Sequence, residues 1–140
     1  MAELPRAILA ERQNVETTLD ALREAFDRPN RSVVELTAIG GFLQNVYNGI
    51  ENILKQALRQ RGIQPPRSDA WHKELLEHSV KAGLVPSDLA DELYDYMSFR
   101  HFFIHGYGIM LTEPPLQDLA SRLPAVWARF IAEIQRALDA

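Results

Sequence analysis

The stretch SVVELTAIGGFLQNVYNGIENILKQALRQRG, residues 32–62, decides the fold. Leu36, Ile39, Phe42, Leu43, Val46, Tyr47, Ile50, Ile53, Leu54, Ala57 and Leu58 recur at three- and four-residue spacings, the signature of a helix with an apolar stripe. Ser32 is placed to cap its start, and Glu35, three residues on, completes a capping box. Gly62 is a natural stop, and Pro65-Pro66 marks the loop beyond. Gly40, Gly41 and Gly49 lie inside this long helix, where each costs ~1 kcal/mol relative to alanine. Close packing against a neighbouring helix is the ordinary explanation. The functional alternative is a thin surface that meets a second copy of the chain or a substrate.

Helical periodicity continues on both sides. Ile8, Leu9, Val15, Leu19, Leu22 and Phe26 predict a first helix from about Pro5 to about Phe26, ended by Asp27-Arg28-Pro29-Asn30. After the long second helix, Ser68 or Asp69 is expected to cap a third, with Trp71, Leu75, Leu76 and Val80 apolar and Gly83 at its end. Val85-Pro86-Ser87-Asp88 opens a fourth helix running to about Ile104, with Gly106 and Gly108 marking its end. Pro114-Pro115 reads as a loop, and Leu116 to Leu138 as a fifth helix bent at Pro124. No stretch alternates with the period of a strand. The expected fold is all-α: an antiparallel bundle of about five helices in a single domain, residues 1–140.

Composition narrows the function. The 140 residues are 46% hydrophobic and 24% charged, as in ordinary globular proteins, and can bury a real core. With no cysteine, disulfides, thiolate metal sites and cysteine nucleophiles are excluded. Met1 to Arg12 lacks the apolar run of a secretion signal, and no stretch approaches the ~18 apolar residues of a membrane span. The expectation is a cytoplasmic protein. A net charge of −4 argues against broad electrostatic binding of nucleic acid. Twelve of the fifteen basic residues are arginine, however, the better group for gripping a phosphate in two-pronged geometry.

The chemistry concentrates in Met97-Ser-Phe-Arg-His-Phe-Phe-Ile-His-Gly-Tyr-Gly108. A histidine gives and takes a proton near neutral pH, as phosphodiester transfer requires. An arginine holds phosphate and stabilises charge building in the transition state. RNA brings its own nucleophile, the 2′-hydroxyl, so the pair Arg100 and His105 needs neither a metal nor a protein nucleophile. At about 100° per residue, Arg100 and Tyr107 fall within about 20° of each other on an ideal helix, but His105 falls about 140° from Arg100. Either the helix unwinds at His105-Gly106 or two chains share the site. His101 and His105 are four apart, a spacing at which two helical imidazoles can share a metal, but no glutamate follows His101 and no third ligand is near in sequence. No metal or other cofactor is expected. His72 and His78 read as surface or cap residues, Tyr47, Tyr94 and Tyr96 as packing, and Trp71 and Trp127 as core. Asp88, Asp91, Glu92 and Asp95 form an acidic helix surface of the kind that is usually solvated.

Arg100, four residues, His105, one residue and Tyr107 resemble the signature of the HEPN superfamily, specifically its HepT-like toxins, and His101 fills a place that is often polar there. The resemblance covers the helical architecture of the whole chain but only these eight residues in detail. It implies the toxin of a type VII-like toxin–antitoxin pair, a metal-independent endoribonuclease acting on RNA such as tRNA or mRNA. Arg100 would clamp phosphate and His105 act as acid and base, with His101 a secondary polar residue. It further implies a homodimer and a minimal nucleotidyltransferase antitoxin that transfers AMP to Tyr107. Two readings from other classes stand beside it. One is a non-catalytic helical subunit that binds nucleotide or substrate for a nucleotidyltransferase, which the acidic net charge favours. The other is a plain dimeric interaction module.

Overall fold

A computed structural model describes residues 4–105 and 113–139. Its elements are α1 (Arg6–Phe26), α2 (Val33–Gln60), α3 (Trp71–Lys81), α4 (Ser87–Ile104) and α5 (Glu113–Asp139), with no strand among the described residues. The all-α bundle of five helices with a long second helix is therefore the architecture.

Helix α2 is the axis of the bundle and packs against all four of the others. The reason lies in its sequence: Val46, Tyr47, Ile50, Ile53, Leu54, Ala57 and Leu58 are all fully buried. Each valine, isoleucine and leucine among them contributes about 1.5–3 kcal/mol relative to exposure, as an upper bound. Apolar residues from all five helices close over it as one cluster, including Ile8, Leu22, Leu75, Leu93, Phe130 and Ile134.

The helix ends follow local chemistry. At the start of α2, the Ser32 hydroxyl accepts from Val34 N–H and Glu35 reaches back to Ser32 N–H at 2.8 Å, giving the expected capping box. At its end Gly62 takes φ +73°, and Ile63 N–H donates back to the Leu58 carbonyl at 2.9 Å. Gly83 (φ +74°) closes α3 in the same way, with Leu84 N–H donating to the Ser79 carbonyl at 2.9 Å. Arg61 then ties three elements together, donating to the carbonyls of Ala82 and Ala137 at 2.7 Å each.

Several local expectations are corrected. Helix α5 begins at Glu113, so Pro114 and Pro115 belong to its first turn and not to a loop. First-turn amides have no intrahelical acceptor, so proline loses nothing there. Glu113 also pairs with Arg31, which in turn donates to the Phe26 carbonyl and joins the end of α1 to the start of α5. Helix α3 starts at Trp71 without a side-chain cap; Ser68 instead braces the preceding turn, its hydroxyl accepting from Ala70 N–H at 3.1 Å. Tyr94 is 45% exposed, in contrast to Tyr47 and Tyr96, which are packed inside. The acidic surface of α4 is largely engaged by α5: Asp88 and Glu92 pair with Arg129, and Asp95 with Arg122. Such exposed pairs contribute only about 0.2–1 kcal/mol each.

Gly49 sits where α2 crosses α1. A Cβ there would lie 2.4 Å from Val15 Cγ2, so the glycine serves the seam between these helices. It is not part of an open surface for a second copy. A Cβ on Gly41 would meet nothing within 4 Å outside its own stretch of helix backbone among the described residues.

Candidate functional site

The candidate residues gather where the C-terminal half of α4 runs beside the middle of α2. Helix α4 ends at Ile104, and His105 is its C-cap, with φ −85° and ψ 16°. Its N–H still donates to the His101 carbonyl at 3.3 Å. The helical bond pattern therefore holds up to His105, and the angular mismatch between Arg100 and His105 is not relieved among the described residues. Tyr107, Gly106 and Gly108 lie outside the described residues.

Arg100 is half-buried and its Nε donates to Asn48 Oδ1 on α2. That contact fixes the plane of the guanidinium. Among the described residues no carboxylate forms an ion pair with Arg100. His101 and His105 are both exposed, and their rings stand 4.2 Å apart centre to centre, inclined by 50°. The fold thus sets a held arginine and a pair of accessible imidazoles within two turns of one helix. It does not record a direct contact between Arg100 and His105. Among the described residues no group of three or more histidine or carboxylate side chains is arranged to hold a metal.

Behind Arg100 lies a polar row that the sequence reading missed. Glu51, one turn from Asn48 and Tyr47 on α2, is only 2% exposed. Its Oε2 lies 2.6 Å from His72 Nδ1 on α3, so His72 is a partner of a buried acid and not an ordinary surface or cap residue. Burial pushes the Glu51 carboxyl above its usual range; the hydrogen bond from His72 and the charges of His72, Arg100 and Lys55 oppose that rise. Among the described residues the buried Tyr47 hydroxyl makes no well-formed hydrogen bond, and the Glu51 carboxyl is close enough to act on it. Burial, and then the charge of Glu51, hold its pKa well above the normal phenol value. One further turn along α2, Lys55 Nζ sits 3.8 Å from the centre of the Trp71 ring, which also stacks on His72 at 3.6 Å. Trp71 is accordingly half-buried and packs against the core from its rim, whereas Trp127 is 5% exposed and belongs to the core.

One of these residues was legible. An acid at position 51 falls four residues after Tyr47 in an apolar stripe, and a buried carboxylate demands a partner. Asn48 carried no such signal, because its role depends on which helix α4 lies against.

Five helices and no strand among the described residues make an all-α bundle of the HEPN-like kind. A family model described as HepT-like protein matches residues 38–140, from within α2 to the C-terminus, and the chain belongs to the HepT-like family. No curated protein and no solved structure matches it. The matched region contains Arg100, His101, His105 and Tyr107 together with Asn48, Glu51 and His72.

Proposed function

We propose that the chain is a single-domain toxin that cleaves RNA without a metal, with Arg100 and His105 as its catalytic residues. The observation that carries this is the pair itself: Arg100, x4, His105 at the end of α4, in a chain of the HepT-like family. Arg100 is anchored by Asn48 through Nε and forms no ion pair with a carboxylate among the described residues, which suits it to grip phosphate. His105 accepts the proton of the ribose 2′-hydroxyl as that oxygen attacks phosphorus. The bond from phosphorus to the 5′ oxygen breaks, leaving a 2′,3′-cyclic phosphate and a 5′-hydroxyl. One imidazole cannot take and give a proton in the same step. The leaving oxygen's proton comes from His101, from His105 of a partner protomer or from water. Arg100 stabilises the charge gathering on the phosphoryl oxygens.

Control belongs to Tyr107. A nucleotidyltransferase antitoxin transfers AMP from ATP: the phenol oxygen bonds to the α-phosphorus, pyrophosphate leaves and the phenolic proton is released. A phosphate at Tyr107, seven residues after Arg100 in sequence, adds negative charge that competes with the substrate phosphate. The working unit is a homodimer in the cytoplasm, and sedimentation at micromolar concentration tests the dimer. The decisive experiment expresses the wild-type chain and His105→Ala and follows growth and RNA integrity. Wild type should arrest growth and fragment RNA, with cleavage resistant to EDTA, and His105→Ala should do neither. If the folded wild-type chain is harmless to cells and leaves RNA whole, the reading fails in favour of a non-catalytic subunit of a nucleotidyltransferase.

A further inference from the structure

The polar row on α2 leads away from Arg100 into an open cavity of about 750 Å³ between the end of α2 and the segment approaching α3. Its chemically distinctive lining is Lys55, Arg59, Arg67 and Trp71, and no carboxylate lines it. That is unusual in a chain of net charge −4, in which Arg12, Arg28, Arg31, Arg122, Arg129 and Arg136 are each paired with an acid. Arg59 and Arg67 have no carboxylate partner among the described residues. Two of the cavity's cations rest against neutral groups, and of these Lys55 also interacts with the buried Glu51 carboxyl one turn back on α2. Lys55 lies over the Trp71 ring. The Gln64 amide oxygen, in the orientation that satisfies its neighbours, accepts from Arg67 at 2.6 and 2.9 Å.

The cavity also lies on the side of α2 that anchors Arg100. Lys55 and Arg59 follow Asn48 by seven and eleven residues, so each falls within about 20° of it around the helix, and Arg59 lies about 16 Å along the axis. His72, bonded to Glu51, stands in the same row. A basic groove interleaved with an aromatic ring, on the same side of α2 as Arg100, is the form that single-stranded nucleic acid requires.

We propose that this cavity is a second subsite for the RNA strand, in which Lys55, Arg59 and Arg67 take phosphodiester groups of nucleotides flanking the one held at Arg100. The proposal rests on the ribonuclease reading of the Arg100 site and adds where the rest of the strand lies. A free nucleotide presents the same phosphate chemistry, and the test separates the two sources.

The test measures binding of a fluorescent twelve-residue 2′-deoxy oligonucleotide, which cannot be cleaved through a 2′-hydroxyl, to the full chain over a range of salt. For a single strand each lost phosphate contact lowers the slope of log affinity against log salt by ~0.7. Arg59→Ser/Arg67→Ser should therefore bind more weakly, with a slope lower by about 1.4, while Arg59→Lys/Arg67→Lys keeps the wild-type slope. Circular dichroism checks that both variants are folded. An unchanged slope in the folded serine variant overturns the subsite, as would be found if the cavity serves an acidic protein. So does displacement of the oligonucleotide from wild type by AMP or ATP at concentrations that leave the serine variant's binding untouched, because the cavity then takes a free nucleotide. Because cleavage is not read, the two ideas fail separately: an uncleaved ribo-oligonucleotide counts against the ribonuclease, and an unchanged salt slope against the subsite.

Discussion

Replacing Gly49 with alanine should destabilise the protein, although alanine is the better helix former. The propensity gain inside α2 is ~1 kcal/mol. Against it stands the seam with α1, where the new Cβ would lie 2.4 Å from Val15 Cγ2. Carbon atoms pack at about 3.5–4.0 Å, so the helices must separate by about 1 Å or Val15 must leave its rotamer. Valine has little freedom to do so, because a β-branched side chain in a helix has one strongly preferred rotamer. Val15 is 2% exposed, so no solvent space takes up the displaced methyl. Overpacking of this kind costs about 1–3 kcal/mol, which leaves a net loss of up to about 2 kcal/mol after the propensity gain. Urea unfolding at matched protein concentration reads it directly. Val15→Ala supplies the internal control. Alone it is destabilising, since buried methyl groups are lost; in the Gly49→Ala background it makes room for the new Cβ and should cost distinctly less. The double-mutant cycle should show a favourable coupling of about 1 kcal/mol or more. A Gly49→Ala chain as stable as wild type with no coupling to Val15 would refute the seam argument. An altered sedimentation coefficient at unchanged stability would return Gly49 to an intermolecular surface.

Asn48→Leu removes the acceptor of Arg100 Nε, and a hydrogen bond to a charged group contributes about 1.5–3 kcal/mol, so RNA cleavage should fall roughly ten- to hundredfold with the fold intact. Asn48→Asp keeps the acceptor and should retain much more of kcat than the leucine variant, its added charge appearing chiefly in KM. Glu51→Gln tests the buried acid through pH. Burial raises the folded carboxyl above its unfolded value, so the folded chain holds that proton more tightly and the group's contribution to stability falls as pH rises through the window between the unfolded and folded pKa. The glutamine chain should gain stability relative to wild type across that window, and parallel unfolding curves from pH 4 to 8 would contradict the assignment. Tyr107→Phe should leave most of the toxicity in place, because a phenol with a pKa near ~10 is a poor proton shuttle at neutral pH. It should also abolish addition of AMP by the nucleotidyltransferase partner and ATP; equal added mass on wild type and Tyr107→Phe would move the modification elsewhere.

Helix number, helix type and most boundaries were legible in the sequence because they rest on local physics. The three- and four-residue spacing of apolar residues, the Ser32–Glu35 box and the left-handed glycines at 62 and 83 act within one or two turns and need no tertiary partner. The position of Arg100 and His105 at the end of α4 was legible for a related reason, since the apolar periodicity that sets that helix acts locally. Boundaries failed where two chemistries compete for the same residues. Pro114-Pro115 stops a helix in mid-course but suits a first turn, and only the pairing of Glu113 with Arg31 shows which applies.

What the fold alone decided are relations between helices. The sequence by itself determined that Val33–Gln60 form a helix, and that Arg100 and His105 fall at the end of the fourth helix. Tertiary structure decided that Gly49 faces Val15, that Asn48 orients Arg100, that Glu51 is buried against His72, and that Lys55, Arg59, Arg67 and Trp71 border one cavity. A residue's spacing sets which face of its own helix it occupies, whereas the identity of the opposing helix follows from how five apolar stripes close around α2. That closure is a property of the whole chain, and no local stretch encodes it.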